Sequence, residues 1–307
     1  MRAFFLWMSR SIRLRRLVTR IGFARRAALR FVAGETIDDA IAAIRALNAN
    51  GILATVDHLG ENVETEADAH RAAQSYVDVL DRIGKEGVRS SASLKLTQLG
   101  LDIGDEFCRE NVAGVLRKAK DVGTRVRIDM ESSDYTDRTL ALFRGLHREF
   151  DNVGIVIQSC LYRSKDDIAA LCEEGANVRL CKGAYNEPPD KAFPKKADVD
   201  ASYVALTHML LNGEARARGA YAAIATHDPK MIDAAKAHAA EHNVSRKQFE
   251  FQMLYGIRRD LQQQLAKEGY TLRVYVPYGA EWYPYFMRRL AERPANVWFI
   301  LRNLFRG

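Results

Sequence analysis

The chain has 307 residues, 48% of them hydrophobic, and a formal net charge of +7. That length supports a sizeable buried core, and no apolar run reaches the roughly 18 residues that a membrane-spanning helix needs. Its four cysteines, Cys108, Cys160, Cys172 and Cys181, show neither CxxC spacing nor a paired pattern, so a reduced, cytoplasmic setting is expected rather than a disulfide framework.

Residues 1–30, MRAFFLWMSRSIRLRRLVTRIGFARRAALR, hold nine arginines and no acid, and without them the chain is close to neutral. Phe4, Phe5, Leu6, Trp7, Leu14, Leu17, Val18, Ile21 and Phe23 are interleaved with the arginines, so residues 1–34 read as a basic, amphipathic helical arm. Three uses fit. The arm suits peripheral contact with the inner face of a membrane, with arginines on anionic headgroups and aromatics in the interface. It also suits packing on the main domain or on a second subunit of a homo-oligomer. A cleaved, arginine-rich targeting peptide is the third reading. Nucleic acid is not an expected partner, because the basic character stops at the arm.

From residue 35 to the end at 307, short β-branched runs alternate with long segments of helical period. The expected strands are Ile52–Asp57, Ala92–Thr97, Val126–Met130, Gly154–Ser159, Val178–Lys182, Ala222–Thr226, Phe249–Leu254 and Leu272–Val276. The expected helices cover 35–49, 63–86, 107–121, 135–149, 165–174, 200–217, 229–242, 258–267 and 281–303. Thr36 precedes acids in a first turn, and Asp228 precedes a proline at a first helical position. Gly51, Gly87 and Gly123 follow the first three helices, where a left-handed residue often ends one. Eight strand–helix units with near-continuous apolar strands mean parallel pairing with both faces buried. The arithmetic is that of a closed (β/α)₈ TIM-type barrel; an open doubly wound sheet would more often show a GxGxxG turn, and VDHLGENVET is not one. Asn186 to Asp200, with three prolines after a strand end, is a candidate active-site loop.

Chemistry on such a barrel sits where the strands end. The polar residues expected there are Asp57; Lys95; Asp129 and Glu131; Gln158; Arg179, Lys182 and Tyr185; Thr226 and His227; Glu250 and Gln252; and Tyr275. Charges and amides in apolar strands are costly unless paired or used, and groups on nearly every strand converge on one cavity. The set has no pair of histidines at metal-ligand spacing, so no metal is expected. Fixed donors dominate, which suits an anionic or carbonyl-rich ligand. Two chemistries fit: a Schiff-base lyase using Lys95 or Lys182, or a flavoenzyme whose donors hold the isoalloxazine edge and phosphates.

The motifs RFVAGE, SLKL, IDME, QSCLYRS, RLCKGAY, ATHD, FEFQMLYGIR, RVYVPYG and YFMRRLAE, in this order on successive elements, resemble the proline dehydrogenases over residues 31 to 305. The resemblance is to the compact bacterial monofunctional type. It implies an FAD-dependent barrel that oxidises L-proline to Δ1-pyrroline-5-carboxylate by hydride transfer to flavin N5 and passes electrons to a membrane quinone. By the same resemblance, Arg288, Arg289 and Lys95 bind the substrate carboxylate, with Glu292 pairing from the same helix. Asp129 and Tyr275 line the substrate side, and Leu254 and Tyr185 pack around the ring. Arg179 lies near flavin N5. Met130, Gln158, the Lys182-Gly183-Ala184 turn, Thr226 and His227 hold the cofactor. A different flavin barrel, such as a methylenetetrahydrofolate reductase, would share fold and cofactor.

Overall fold

The structure, a computed structural model, describes residues 28–60 and 63–292. Eight parallel strands close into a barrel in sequence order: β1 Leu53–His58, β2 Ser90–Leu94, β3 Val126–Ile128, β4 Val153–Gln158, β5 Asn177–Cys181, β6 Tyr221–Ala225, β7 Phe249–Leu254 and β8 Thr271–Tyr278, with β8 pairing back onto β1. The helices are α1 Ile37–Ala49, α2 Glu66–Glu86, α3 Asp105–Asp121, α4 Thr136–His147, α5 Ser164–Glu173, α6 Lys196–Leu211, α7 Gly213–Ala217, α8 Pro229–Glu241, α9 Arg259–Lys267 and α10 Trp282–Glu292.

The local signals act as expected. Thr36 and Asp39 form a reciprocal capping box on α1. Asp228 accepts from the Lys230 amide at the start of α8, which has its proline in the first turn. Gly51, Gly87 and Gly123 all adopt positive φ. Outward-facing strand residues such as Ala54, Val56, Leu94, Ile128, Ile155, Val178, Ile224 and Val274 are buried in one continuous core against the helix ring, which is why the strands read as apolar.

Two details differ from what the sequence predicts, and a third is open only in part. β2 ends at Leu94, and a short 3₁₀ turn over Thr97–Leu99 follows, so Lys95 stands just beyond the strand. The single helix expected over 200–217 starts earlier, at Lys196, and breaks at Asn212, whose side chain caps α7; Asn satisfies a new helix start better than it continues an old one. The last helix is described as far as Glu292; its expected continuation to 303 and the arm before residue 28 lie outside the described residues.

One packing choice positions the site. α1 lies against β8 and β1, the groove that the helix after β8 would otherwise fill. α10 instead joins a separate apolar cluster with Ala28, Phe31, Val32, Leu59 and Ile257, against which Leu254 and Tyr275 pack. Leu59 follows β1, Leu254 ends β7 and Tyr275 lies near the end of β8, so the cluster sits at the C-terminal mouth. Trp282 Nε1 donates to Glu35 Oε1 at 3.2 Å, tying α10 to the chain entering α1.

Candidate active site

Residues two apart along a strand share a face, so the inward side chains of the barrel form layers. The upper layer is one connected network. Asp129, just past β3, accepts at Oδ1 from Ser93 Oγ and Arg179 Nη1, both at 2.7 Å, and at Oδ2 from the Tyr275 hydroxyl at 3.0 Å. Arg179 Nε donates to Gln252 Oε1 at 2.5 Å, and its guanidinium carbon lies 5.3 Å from the Tyr275 ring centre. Lys95 Nζ donates to Asp57 Oδ2 at 3.1 Å and stands 4.0 Å from Asp129 Oδ2. The Tyr76 hydroxyl, from α2, donates to Asp57 Oδ1 at 3.1 Å. Asp57 is fully buried, so removing Lys95 or Tyr76 would strand a charge. Burial first, then the charges of Asp129 and Asp57, push the Tyr275 phenol well above its ordinary pKa, and it stays a hydrogen-bond donor throughout the neutral range.

A lower layer reads quite differently from its expected place. Glu250 was expected at the mouth, but it lies at the second residue of β7, towards the strands' N-terminal ends, and Gln252 takes the upper position. Arg273 Nε donates to both Glu250 oxygens at 2.9 and 3.1 Å, Gln252 Nε2 also bonds Glu250, and Arg127 bonds the Ile155 and Asn177 carbonyls at 3.0 Å. The correction follows from the period of two: one polar step along β7 is one layer of depth.

The β4–β6 side holds a second group. Gln158 Nε2 donates to the Glu131 carbonyl at 2.9 Å, and the Glu131 carboxylate accepts from the Thr97 amide and hydroxyl at 3.1 and 2.7 Å. Met130, between Asp129 and Glu131, is buried. Lys182 Nζ donates to Asp200 at 2.5 Å and to Asp228 at 2.8 Å. Thr226 Oγ1 accepts from the Asp228 amide at 3.1 Å, and His227 Nε2 accepts from the Leu254 amide at 2.9 Å, which leaves the ring proton on Nδ1. The loop after β5, which carries half-buried Gly183, Ala184 and Tyr185, is pinned rather than loose: Phe193 N donates to the Cys160 carbonyl at 2.8 Å, and Glu187 accepts from the Ser133 amide at 2.9 Å.

Among the expected site residues, then, Lys95, Asp129, Arg179 and Tyr275 meet in one network. Gln158, Lys182, Thr226 and His227 stand beside it on the next strands. Leu254 and Tyr275 touch the α10 cluster. Arg289 is 9% exposed with its guanidinium 5.0 Å from the Tyr285 ring centre, and Arg288 is half-buried. Glu292 ends α10, and its side chain lies outside the described residues. Ser93 was missed, although it precedes Lys95 by two and so shares its face; Asp57 and Gln252 stood among the strand-end residues without a role.

Two features fit a large ligand with acceptor atoms, as a flavin is. Arg179 Nη2 is buried without a hydrogen-bond partner among the described residues, and a buried guanidinium donor left unmet is costly unless something else completes it. Gly183 has φ +111°, and a Cβ there would lie 2.4 Å from Cys160 Sγ and 3.4 Å from Gln158 Oε1. The backbone therefore closes onto Gln158 as only glycine allows, leaving a side-chain-free surface beside an amide.

The sequence profile of the family described as proline dehydrogenase matches residues 40–302. The chain belongs to the proline dehydrogenase family. Proline dehydrogenase 1 of Bacillus subtilis (strain 168) is 42% identical over 307 residues, covering 100% of this chain and 99% of the relative. Proline dehydrogenase of Deinococcus radiodurans is 42% identical over 283 residues, 91% of this chain and 90% of its own. Among solved structures, the proline utilization A protein of Bdellovibrio bacteriovorus inactivated by N-propargylglycine aligns with TM-score 0.81 at 26% identity, over 88% of this chain and 33% of that longer one. Like other proline dehydrogenases, the protein is an enzyme of proline oxidation.

Proposed function

We propose that the barrel mouth binds FAD and oxidises L-proline to Δ1-pyrroline-5-carboxylate, with a membrane quinone as the eventual electron acceptor. The single observation that carries this reading is the Asp57–Lys95–Asp129–Arg179–Tyr275 network, with an unmet Arg179 donor, at the mouth of a proline dehydrogenase barrel. When bound, the flavin would supply a two-electron acceptor for hydride from the ring carbon beside the proline nitrogen. Arg179, Met130, Gln158, Lys182, Gly183, Ala184, Thr226 and His227 would hold it.

The chain's own residues supply orientation. Two adjacent arginines at the end of a helix that lies over the mouth, Arg288 and Arg289, approach one carboxylate from different angles, and a planar guanidinium can grip it with two bonds. Glu292 follows Arg288 by four residues and Arg289 by three, the spacing that holds a fork in place. Lys95 adds a third positive group to the same anion. Leu254, Tyr185 and Tyr275 wall the ring and exclude water. The surrounding positive groups favour the neutral form of the substrate amine, and holding the reacting carbon at near-attack distance is the larger contribution.

Lys95 and Lys182 each bind a carboxylate, Asp57 and Asp200 respectively, with Lys182 also on Asp228, which disfavours the Schiff-base alternative. The deciding experiment is optical. Purified protein should be yellow and bleach anaerobically on adding L-proline; a colourless protein, or bleaching by NADH but not by proline, overturns the reading. The basic arm is the candidate contact with the quinone's membrane: deleting residues 1–25 should lower binding to anionic vesicles while dye-linked proline oxidation persists. No helix among the described residues is long and apolar enough to cross a membrane.

A further inference from the structure

On the outer face of the barrel, away from the mouth network, three imidazoles form a stack across two helices. His208 on α6 and His238 on α8 lie with ring centres 3.9 Å apart and planes 10° apart; His238 and His242 lie 4.1 Å apart at 28°. His242 follows the last residue of α8 and stands four residues after His238, so the two rings meet at the end of one helix face. Glu241, between them, brings a carboxylate to the same edge. One ligand atom from each of His238, Glu241 and His242 lies within 4.8 Å of the others.

We propose that His238, Glu241 and His242 form a surface binding site for a late divalent transition metal of the zinc class. Imidazole with carboxylate is a ligand set that suits zinc, nickel and copper rather than magnesium or calcium. Ligands about 2.0–2.2 Å from a zinc ion stand at most about 4.4 Å apart, so the exposed His242 ring has to turn out of its stack on His238 to bring both lone pairs onto one ion. The His242 Nδ1 lies 3.0 Å from the His238 carbonyl, so that nitrogen carries the proton and Nε2 keeps its lone pair. A metal-bound histidine is commonly fixed in this way.

The stack also gives the site a mechanical consequence. His208 rests on His238 from the neighbouring helix, so an ion that fixes His238 also braces α6 against α8.

Titration calorimetry of the full, EDTA-stripped protein with zinc chloride tests this. One saturable zinc site per chain is expected. Affinity should fall by at least about tenfold in His238→Gln and in His242→Gln, and stay unchanged in His70→Gln, an exposed histidine on α2. Zinc should raise the melting temperature of the unaltered protein by several degrees, and this rise should vanish in the double variant. Melting temperatures in metal-free buffer report whether each variant keeps its fold; if either histidine variant does not, Glu241→Gln, an exposed carboxylate, is titrated in its place with a smaller loss expected. No saturable binding to the unaltered protein, or equal affinity in the double variant, overturns the proposal.

Discussion

At the lower end of the barrel interior, Arg273 grips both Glu250 oxygens and Arg127 bonds the Ile155 and Asn177 carbonyls, and among the described residues no nitrogen of either guanidinium is left buried and unpartnered. At the upper end, Arg179 is buried more deeply than Arg127 or Arg273, bonds Asp129, Ser93 and Gln252, and still keeps one buried nitrogen without a partner among the described residues. Buried charge is expensive in both places. Where no buried donor is left over, the network holds the barrel together; where one is left over at the open end, a donor remains for the proposed flavin. Gln252 joins the two, accepting from Arg179 above and donating to Glu250 below.

This contrast can be broken by experiment. The largest effect should come from the lower layer. Glu250→Ala strands Arg273, and removing one partner of a buried pair costs about 3–5 kcal/mol; urea denaturation should show that loss, while proline KM in the folded protein changes little. A shifted KM with unchanged stability would put Glu250 in the site instead. Arg288→Met should do the reverse, removing about 2–4 kcal/mol of substrate binding, read as a raised proline KM in a dye-linked assay with an unmoved melting curve. Unaltered proline kinetics would remove Arg288 from its assigned role.

Tyr275→Phe probes the upper network more gently. It deletes one bond to the Asp129 carboxylate, worth about 1.5–3 kcal/mol, and kcat/KM should fall accordingly with the flavin spectrum retained.

Acid sharpens the comparison. Burial alone would raise the Glu250 carboxyl, but Arg273, Gln252 and Arg127 outweigh it and hold the group below its ordinary value. A depressed folded pKa gives stability that is complete above the unfolded value of about 4.3 and is lost as pH falls through the folded one. The stability gap between the unaltered protein and Glu250→Gln should therefore narrow only below about pH 4. The smallest effect belongs to the outer shell: Gly87→Ala meets no atom within 4 Å but must keep φ +60°, costing about 1–2 kcal/mol from backbone strain alone.

Much of this molecule is legible in its sequence because the signals are local. The period of two in LATVDH and the period of 3.6 in EADAHRAAQSYVDVL are set by neighbours on one element, as are the Thr36 box and the Asp228–Pro229 start. The same logic found Lys95, Asp129, Arg179 and Tyr275, since a charge or phenol amid apolar residues is conspicuous in one dimension. It misplaced Glu250 because depth inside a barrel depends on the stagger between strands, and it passed over Ser93 because a serine in a strand carries no cost that calls for explanation.

The sequence by itself determined eight strand–helix units, their order and the polar residues that end them, because those follow from contacts a few residues apart. Only the tertiary structure decided that α1 occupies the groove between β8 and β1, that α10 is carried over the mouth with its two arginines, and that histidines 30 positions apart stack on neighbouring helices. Those outcomes depend on closure of the barrel, which brings the first and last strands together and fixes which helix faces meet, and no local period encodes that.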